Sequence, residues 1–315
     1  MIEAETHTRV PEGEVPHPEN GRPRVDVIIR TLALEARERE LLRALNGIQS
    51  QSWLAARPIV VVNGERFHPP LVEALRQRSG VLFHYEREAS AGHALAVGRT
   101  LVAAPHFMFL DDDDELVEHG LQRLARHLAD NPDWDVLITN GYFSSNAQLR
   151  PMYLNLAAHG VHPLRSLLEE SWLCPGASIF RTESISTQFL DVKRDYHEWT
   201  YIAFLLAVEG KRISFLDVAT VTYYNTQKSA SKSFEYEEAA LDLLDTMKAD
   251  PRVDNETLAI MERKYRNVLH TLASRYWRRG GCRKAWHYHL RSMRPPFTFK
   301  YLLFSRKLLI PTRRR

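Results

Sequence analysis

Residues 107–116 read FMFLDDDDEL, a short apolar run that passes without a break into four aspartates. FMFL has the length and composition of a buried strand. Four adjacent carboxylates repel one another, so a fold gains nothing by gathering them at a strand end unless a cation with bound phosphate relieves the repulsion. Carboxylates are hard oxygen donors suited to Mg²⁺ or Mn²⁺. Residues i and i+2 of a strand-to-loop turn can point the same way, which makes Asp111 and Asp113 the expected metal pair. A solvated acidic loop that caps a helix starting near Leu116 is the competing expectation. An EF-hand is excluded, because its Asp-x-Asp-x-Asp-Gly spacing and closing glutamate are absent.

On both sides of this run, short β-branched or aromatic segments alternate with helical patterns. VDVIIR (25–30) predicts a buried strand, and Leu41, Leu42, Leu45 and Ile48 fall on one helical face after it. PIVVVNG (58–64) predicts a second strand, ended by the turn pair Asn63-Gly64, and VLFHYE (81–86) a third. After the aspartates, Leu116, Val117, Leu121, Leu124 and Leu128 mark an amphipathic helix. VLIT (136–139), ASIF (177–180), RISFLD (212–217) and VTYY (221–224) are each expected to be a strand, with a helix over 198–209. Beyond Ser233 the pattern is helical throughout. Such alternation predicts an α/β fold whose mostly parallel sheet is covered by helices on both faces. Open sheets of this kind bind ligands at the C-terminal ends of their strands, where the aspartates sit. The expected organisation is a disordered leader over 1–24, an α/β domain over 25–233 and a basic helical C-terminal extension over 234–315.

With 315 residues, 44% hydrophobic and 26% charged, the chain has the balance of a soluble globular protein of one or two domains. Pro11, Pro16, Pro18 and Pro23 mark a leader that has neither the apolar core of a signal peptide nor an arginine-rich transit pattern. No window reaches the roughly 18 apolar residues of a membrane span. Cys174 and Cys282 make no zinc spacing and no disulfide framework, and are expected to be reduced thiols of a cytoplasmic protein. The charge is unevenly spread. Residues 263–315 hold sixteen of the 42 Lys/Arg and none of the 39 Asp/Glu, which leaves 26 bases against 39 acids, a formal −13, elsewhere. KYLLFSRKLLI (300–310) brackets apolar residues with cations, a composition suited to an anionic membrane surface. A cap packed on the acidic domain is the alternative. A nucleic-acid partner is not expected, for no recognised binding motif accompanies the charge. Peripheral association with the inner face of the plasma membrane follows as an expectation.

Taken in order, these features resemble the family 2 glycosyltransferases of GT-A (Rossmann-like) fold, an inverting group that builds bacterial polysaccharides and glycoconjugates. The resemblance covers roughly residues 25 to 233. Arg30-Thr31 ends the first strand as the family's does before its nucleotide-contacting loop. Gln51-Ser52-Trp53 with PIVVVNG is similar to the family's Gln-polar-aromatic segment and second strand. Ala94 through Gly98 falls where the family has Ala-Arg-Asn-x-Gly, and FLDDDDEL looks like its metal signature. PGASIFR (175–181) resembles the strand beside the acceptor site, and GKRISFLD with Tyr223 and SAS (229–231) the last strand and its loop.

The resemblance implies transfer of a sugar, of hexosyl type, from a nucleoside-diphosphate sugar to a hydroxyl of a glycan or lipid-linked glycan, with inversion. It implies that Arg30, Thr31, Asn63, Asp111 and Asp112 hold the donor and that Asp111 and Asp113 hold Mg²⁺ or Mn²⁺. The family's acceptor-side helix opens with an acidic pair whose second member is usually the base. Counting back from Gly210 through His197-Glu198-Trp199-Thr200 aligns Glu198 with the first acid and Trp199 with the second. Glu198 is therefore the expected base, Asp195 a poorer candidate, and Trp172, Asp195 and Trp199 are expected toward the acceptor. Leu95-Ala96 replaces the family's Arg-Asn, and Asn63 stands where many members have an acid. Thr226 falls near a metal-binding His of some members, and no metal role is assigned to it. A non-catalytic or weakly active sugar-nucleotide- or polysaccharide-binding protein on the same scaffold is the alternative function.

Overall fold

Strand β1 (Arg24–Thr31) buries Val25, Val27, Ile28 and Ile29 completely, so both of its faces are covered. It pairs in parallel with β2 (Ala55–Asn63) on one side and β4 (His106–Phe109) on the other, while β3 (Leu82–Glu86) extends the sheet from β2. Parallel strands need crossovers, supplied here by α1 (Glu38–Ser50), α2 (Pro69–Gln77) and α3 (Ala91–Thr100). On one face Leu41, Leu45 and Ile48 of α1 join Val25, Val27, Ile29, Val60 and Val62 in a single core. On the other, Gly98 of α3 lies against Ile28, close enough that a Cβ there would collide with it.

The computed structural model describes residues 21–131, 133–145, 148–224, 233–293 and 299–309, with backbone alone for 299 and 300. After the aspartates come β5 (Glu115–Leu116), α4 (Glu118–Asp130), β6 (Val136–Ser145), β7 (Gln148–Pro151), α5 (Pro163–Glu169), β8 (Ser178–Arg181), α6 (Glu198–Val208) and β9 (Ile213–Tyr224). The sheet order is β3-β2-β1-β4-β8-β6-β9-β5, with β7 paired to β6. β8 runs antiparallel to both β4 and β6, whereas β6 and β9 are parallel. The sheet is therefore mixed but mostly parallel. RISFLD and VTYY are one strand, not two. The register of β9 on β6 slips where Leu216, Ala219 and Val221 face Thr139, Asn140 and Gly141. The Asn140 side chain bridges this bulge, donating to Asp217 (2.7 Å) and to the Tyr153 carbonyl (2.9 Å). The helix expected from Leu116 starts two residues later, because Glu115 and Leu116 pair with Thr222 and Val221.

The chain divides into two compact units between Thr226 and Gln227. The second holds α7 (Phe234–Lys248), α8 (Asn255–Arg278), α9 (Cys282–Ser292) and α10 (Phe299–Leu308). Ser233 and Asp254 cap α7 and α8 by accepting the N–H groups of Tyr236 and Thr257. Leu241, Leu269 and Leu272 form one core, and Ala273, Ala285, Phe304 and Leu308 another. Among the described residues no helix is long and apolar enough to cross a membrane. The leader to residue 20, Thr226, SAS (229–231) and residues 310–315 lie outside the described residues.

Candidate active site

The ladder between β1 and β4 continues one residue past the strand, with the Leu110 N–H donating to the Ile28 carbonyl (2.9 Å). Asp111 thus emerges beside the C-terminal end of β1, where Arg30 and Thr31 sit. The four aspartates then turn sharply, and the Asp114 N–H donates back to the Asp111 carbonyl (3.2 Å). A turn points successive side chains in different directions, and each carboxylate meets a different environment.

Asp112 accepts the Thr31 hydroxyl (2.6 Å), and the same hydroxyl oxygen accepts the Ala33 N–H (2.9 Å). Asp113 accepts Arg37 Nη1 (2.5 Å), and its carbonyl accepts Arg43 Nη2 (2.7 Å). Arg43 in turn lies 4.3 Å over the Tyr224 ring. Asp114 is buried; its Oδ1 accepts the Tyr224 N–H (3.1 Å), while Oδ2 has no partner among the described residues. Among the described residues no hydrogen bond fixes the Asp111 carboxylate, and burial and the neighbouring charges act on it.

Electrostatics follow from this crowding. Burial, with the repulsion of Asp113, Asp112 and Glu198, pushes the Asp111 carboxyl up to about 6 against the pull of Arg30. Burial pushes Asp114 up further, to about 9, with Asp111 adding to it and the Tyr224 N–H opposing. Burial also raises Asp112, although Thr31 and Arg37 work the other way. Burial disfavours a charged Arg30, yet Asp111, Glu198 and Asp112 outweigh it and hold the guanidinium firmly protonated. The cluster carries more negative charge than its arginines neutralise.

Glu198 opens α6, which the chain enters through His197 in the left-handed region (φ 58°). It accepts Arg30 Nη2 at 2.6 Å, a contact between residues 168 apart in sequence. Arg30 Nη1 is buried without a partner among the described residues. Trp199 packs edge-on against Phe109 (5.1 Å between ring centroids), two residues before Asp111, and its buried indole N–H has no partner among the described residues. Arg30, Thr31, Asp111, Asp112, Asp113, Glu198 and Trp199 are thus brought together around one strand end.

Other expected residues are placed differently. Trp172 is no acceptor platform: it is completely buried, its ring meets Phe215 edge-on and its N–H donates to the Pro163 carbonyl (2.9 Å). An aromatic next to a strand is as readily core as contact surface. Asp195 is exposed at a bend before α6, outside the hydrogen bonds that tie Glu198 to β1. Asn63 is buried at the end of β2, opposite Glu86 in register and one strand further from the aspartates. Sequence reasoning missed Arg37, Arg43 and Tyr224, and it gave Asp114 no part beyond membership of the run of four. The arginines belong to EARERELLR, where helical spacing assigns them to a solvated face, and nothing local points them at the aspartates.

The fit to a divalent cation rests on two observations: among the described residues the Asp111 carboxylate meets no hydrogen bond, and Oδ2 of Asp114 is buried without a partner. Among the described residues no three His, Cys, Asp or Glu side chains form a ready cage. Mg²⁺ is commonly held by one or two carboxylates plus substrate phosphates, which this arrangement suits. Asp113, the expected second ligand, is engaged by Arg37.

No protein-family model and no curated protein sequence matches the chain. Solved structures do. S. aureus TarS 1–349 in complex with UDP-GlcNAc is 16% identical with a TM-score of 0.54, over 80% of this chain and 73% of that one. The complex of the same protein with UDP matches at 15% identity and a TM-score of 0.52, over 80% and 72%. The chain has the GT-A glycosyltransferase fold. In this GT-A sheet the acidic turn follows β4, the strand beside β1, and α6 brings Glu198 to the same edge from the far side of the sequence.

Proposed function

We propose that this GT-A protein is a metal-dependent, inverting glycosyltransferase of hexosyl type, similar to family 2. It would move a sugar from a nucleoside-diphosphate sugar to a hydroxyl of a glycan or lipid-linked glycan, on the cytoplasmic side. The observation that carries this reading is the connected path from the acidic turn through Arg30 to Glu198, which sets a cation-seeking cluster beside a candidate base. TarS, bound to UDP-GlcNAc and to UDP, supports a uridine nucleotide as the first donor to test.

Mg²⁺ or Mn²⁺ held by Asp111 and the donor phosphates would supply Lewis-acid neutralisation of the leaving diphosphate. The chain's own residues do the rest. Thr31 fixes Asp112, and Arg37 balances Asp113. Arg30 positions the Glu198 carboxylate, which takes the acceptor's proton as its oxygen attacks the sugar from the opposite face. The unpaired Nη1 of Arg30 leaves one donor for a substrate oxygen.

One observation favours a non-catalytic sugar-nucleotide-binding protein instead. Trp199 stands where the family's usual base would be, and Glu198 is neutralised by Arg30. A thermal-shift screen of UDP, GDP, dTDP and CMP with Mn²⁺, followed by transfer assays with the matching sugars, separates the two. Glu198→Gln should bind donor as the wild type does and lose turnover by on the order of 10². Donor binding without transfer in the wild type would favour the binding protein, and equal rates in both would move the base elsewhere.

A further inference from the structure

α10 has two faces that serve different ends. Its inner stripe, Tyr301, Phe304 and Leu308, is buried. Tyr301 stacks on His270 (4.5 Å), Phe304 meets Trp277 and His289 edge-on, and Ser305 bonds the His289 ring (2.8 Å). These contacts anchor the helix in its own unit. With about 100° between successive residues, the opposite side carries Leu302, Leu303, Arg306 and Lys307, and Leu309 follows just past the last turn. Leu302 is 38% exposed, Leu303 50% and Leu309 73%, and both cations are exposed. A helix whose core stripe is already satisfied has no folding reason to set three leucines in solvent within two turns.

We propose that this outer face of α10 docks the protein on an anionic phospholipid surface. The leucines enter the headgroup boundary, while Arg306 and Lys307 extend their stems along the apolar layer and keep their charges at the lipid phosphates. Charge complementarity favours lipid: no acidic residue occurs from Arg263 to Arg315, so nothing in that segment repels an anionic leaflet. Nucleic acid would be satisfied by the cations alone and gains nothing from exposed leucines. The proposal is independent of the glycosyltransferase reading.

Deleting 300–315 is a poor test, because it also removes Tyr301, Phe304 and Leu308 from the core. Substitutions on the exposed face are better. The full chain is compared with Leu302→Ser/Leu303→Ser and with Arg306→Gln/Lys307→Gln in vesicle sedimentation, using phosphatidylcholine alone or with about one third phosphatidylglycerol. Circular dichroism and melting of each variant confirm that the fold is kept. The wild type should bind the anionic vesicles, less so in added salt, and each double variant should lose roughly tenfold or more of that binding. Absence of wild-type binding would overturn the proposal. So would binding that ignores the leucine pair while short duplex or single-stranded nucleic acid binds equally well, which marks a general polycation. Self-association that the leucine pair abolishes would assign the face to a second copy of the chain.

Discussion

Asp111 and Asp114 sit three residues apart and face different problems. Asp111 has no hydrogen bond among the described residues but is only partly buried at the sheet edge, so its charge is available to a cation. Asparagine at this position keeps the shape and removes the charge. Asp111→Asn should therefore lose the Mn²⁺-dependent rise in melting temperature with UDP, a stabilisation of about 2.7 kcal/mol when ligand is at a hundred times its Kd. An unchanged rise would transfer the metal role to another carboxylate. Asp114 is buried with an oxygen that has no partner among the described residues, and burial pushes its carboxyl up to about 9, which favours the protonated form in the metal-free fold. The unfolded chain releases that proton near a pKa of about 3.9. Between there and about 9 the folded state binds the extra proton, so stability falls as pH rises. Asp114→Asn should flatten this slope in urea denaturation of the metal-free protein between about pH 5 and pH 8. Equal slopes for the two proteins would show that Asp114 is already ionised in the fold. None of this division of labour is visible in four identical letters.

Elements were more legible than residues. The parallel strands announce themselves as apolar runs because both of their faces are buried, and the strand-to-turn change at Leu110-Asp111 is a change of composition. The sequence pattern divides the long β9 into two runs because its bulge carries Asp217 and Ala219, which interrupt the apolar pattern without ending the ladder. β7 left no signal, since all four of its residues are exposed. The closeness of α4 to β9 depends on Gly120, where a Cβ would collide with the Ala219 carbonyl. Backbone cannot yield as a flexible side chain can, so Gly120→Ala should cost about 2–4 kcal/mol in denaturant unfolding. Gly47, inside α1 with open space around its Cα, is the control. Gly47→Ala should stabilise by up to about 1 kcal/mol, because alanine loses less backbone entropy in a helix. If both variants shift the midpoint alike, the close approach of α4 is not what the glycine serves.

For the whole molecule, the sequence by itself determined the α/β class, the placement of an acidic cluster at a strand end and the separation of an acidic N-terminal part from a basic helical one. These follow from local periodicity and composition, which are properties of neighbours along the chain. Only the tertiary structure decided which carboxylates are already held, that Glu198 pairs with Arg30 across 168 residues, that Trp172 is core, and that the sheet reverses at β8. It also decided which side of α10 keeps its leucines in solvent. The physical reason is common to all of these. Hydrogen bonds, burial and carboxylate protonation depend on distances between groups far apart in sequence, and those distances exist only once the sheet has brought its strand ends together.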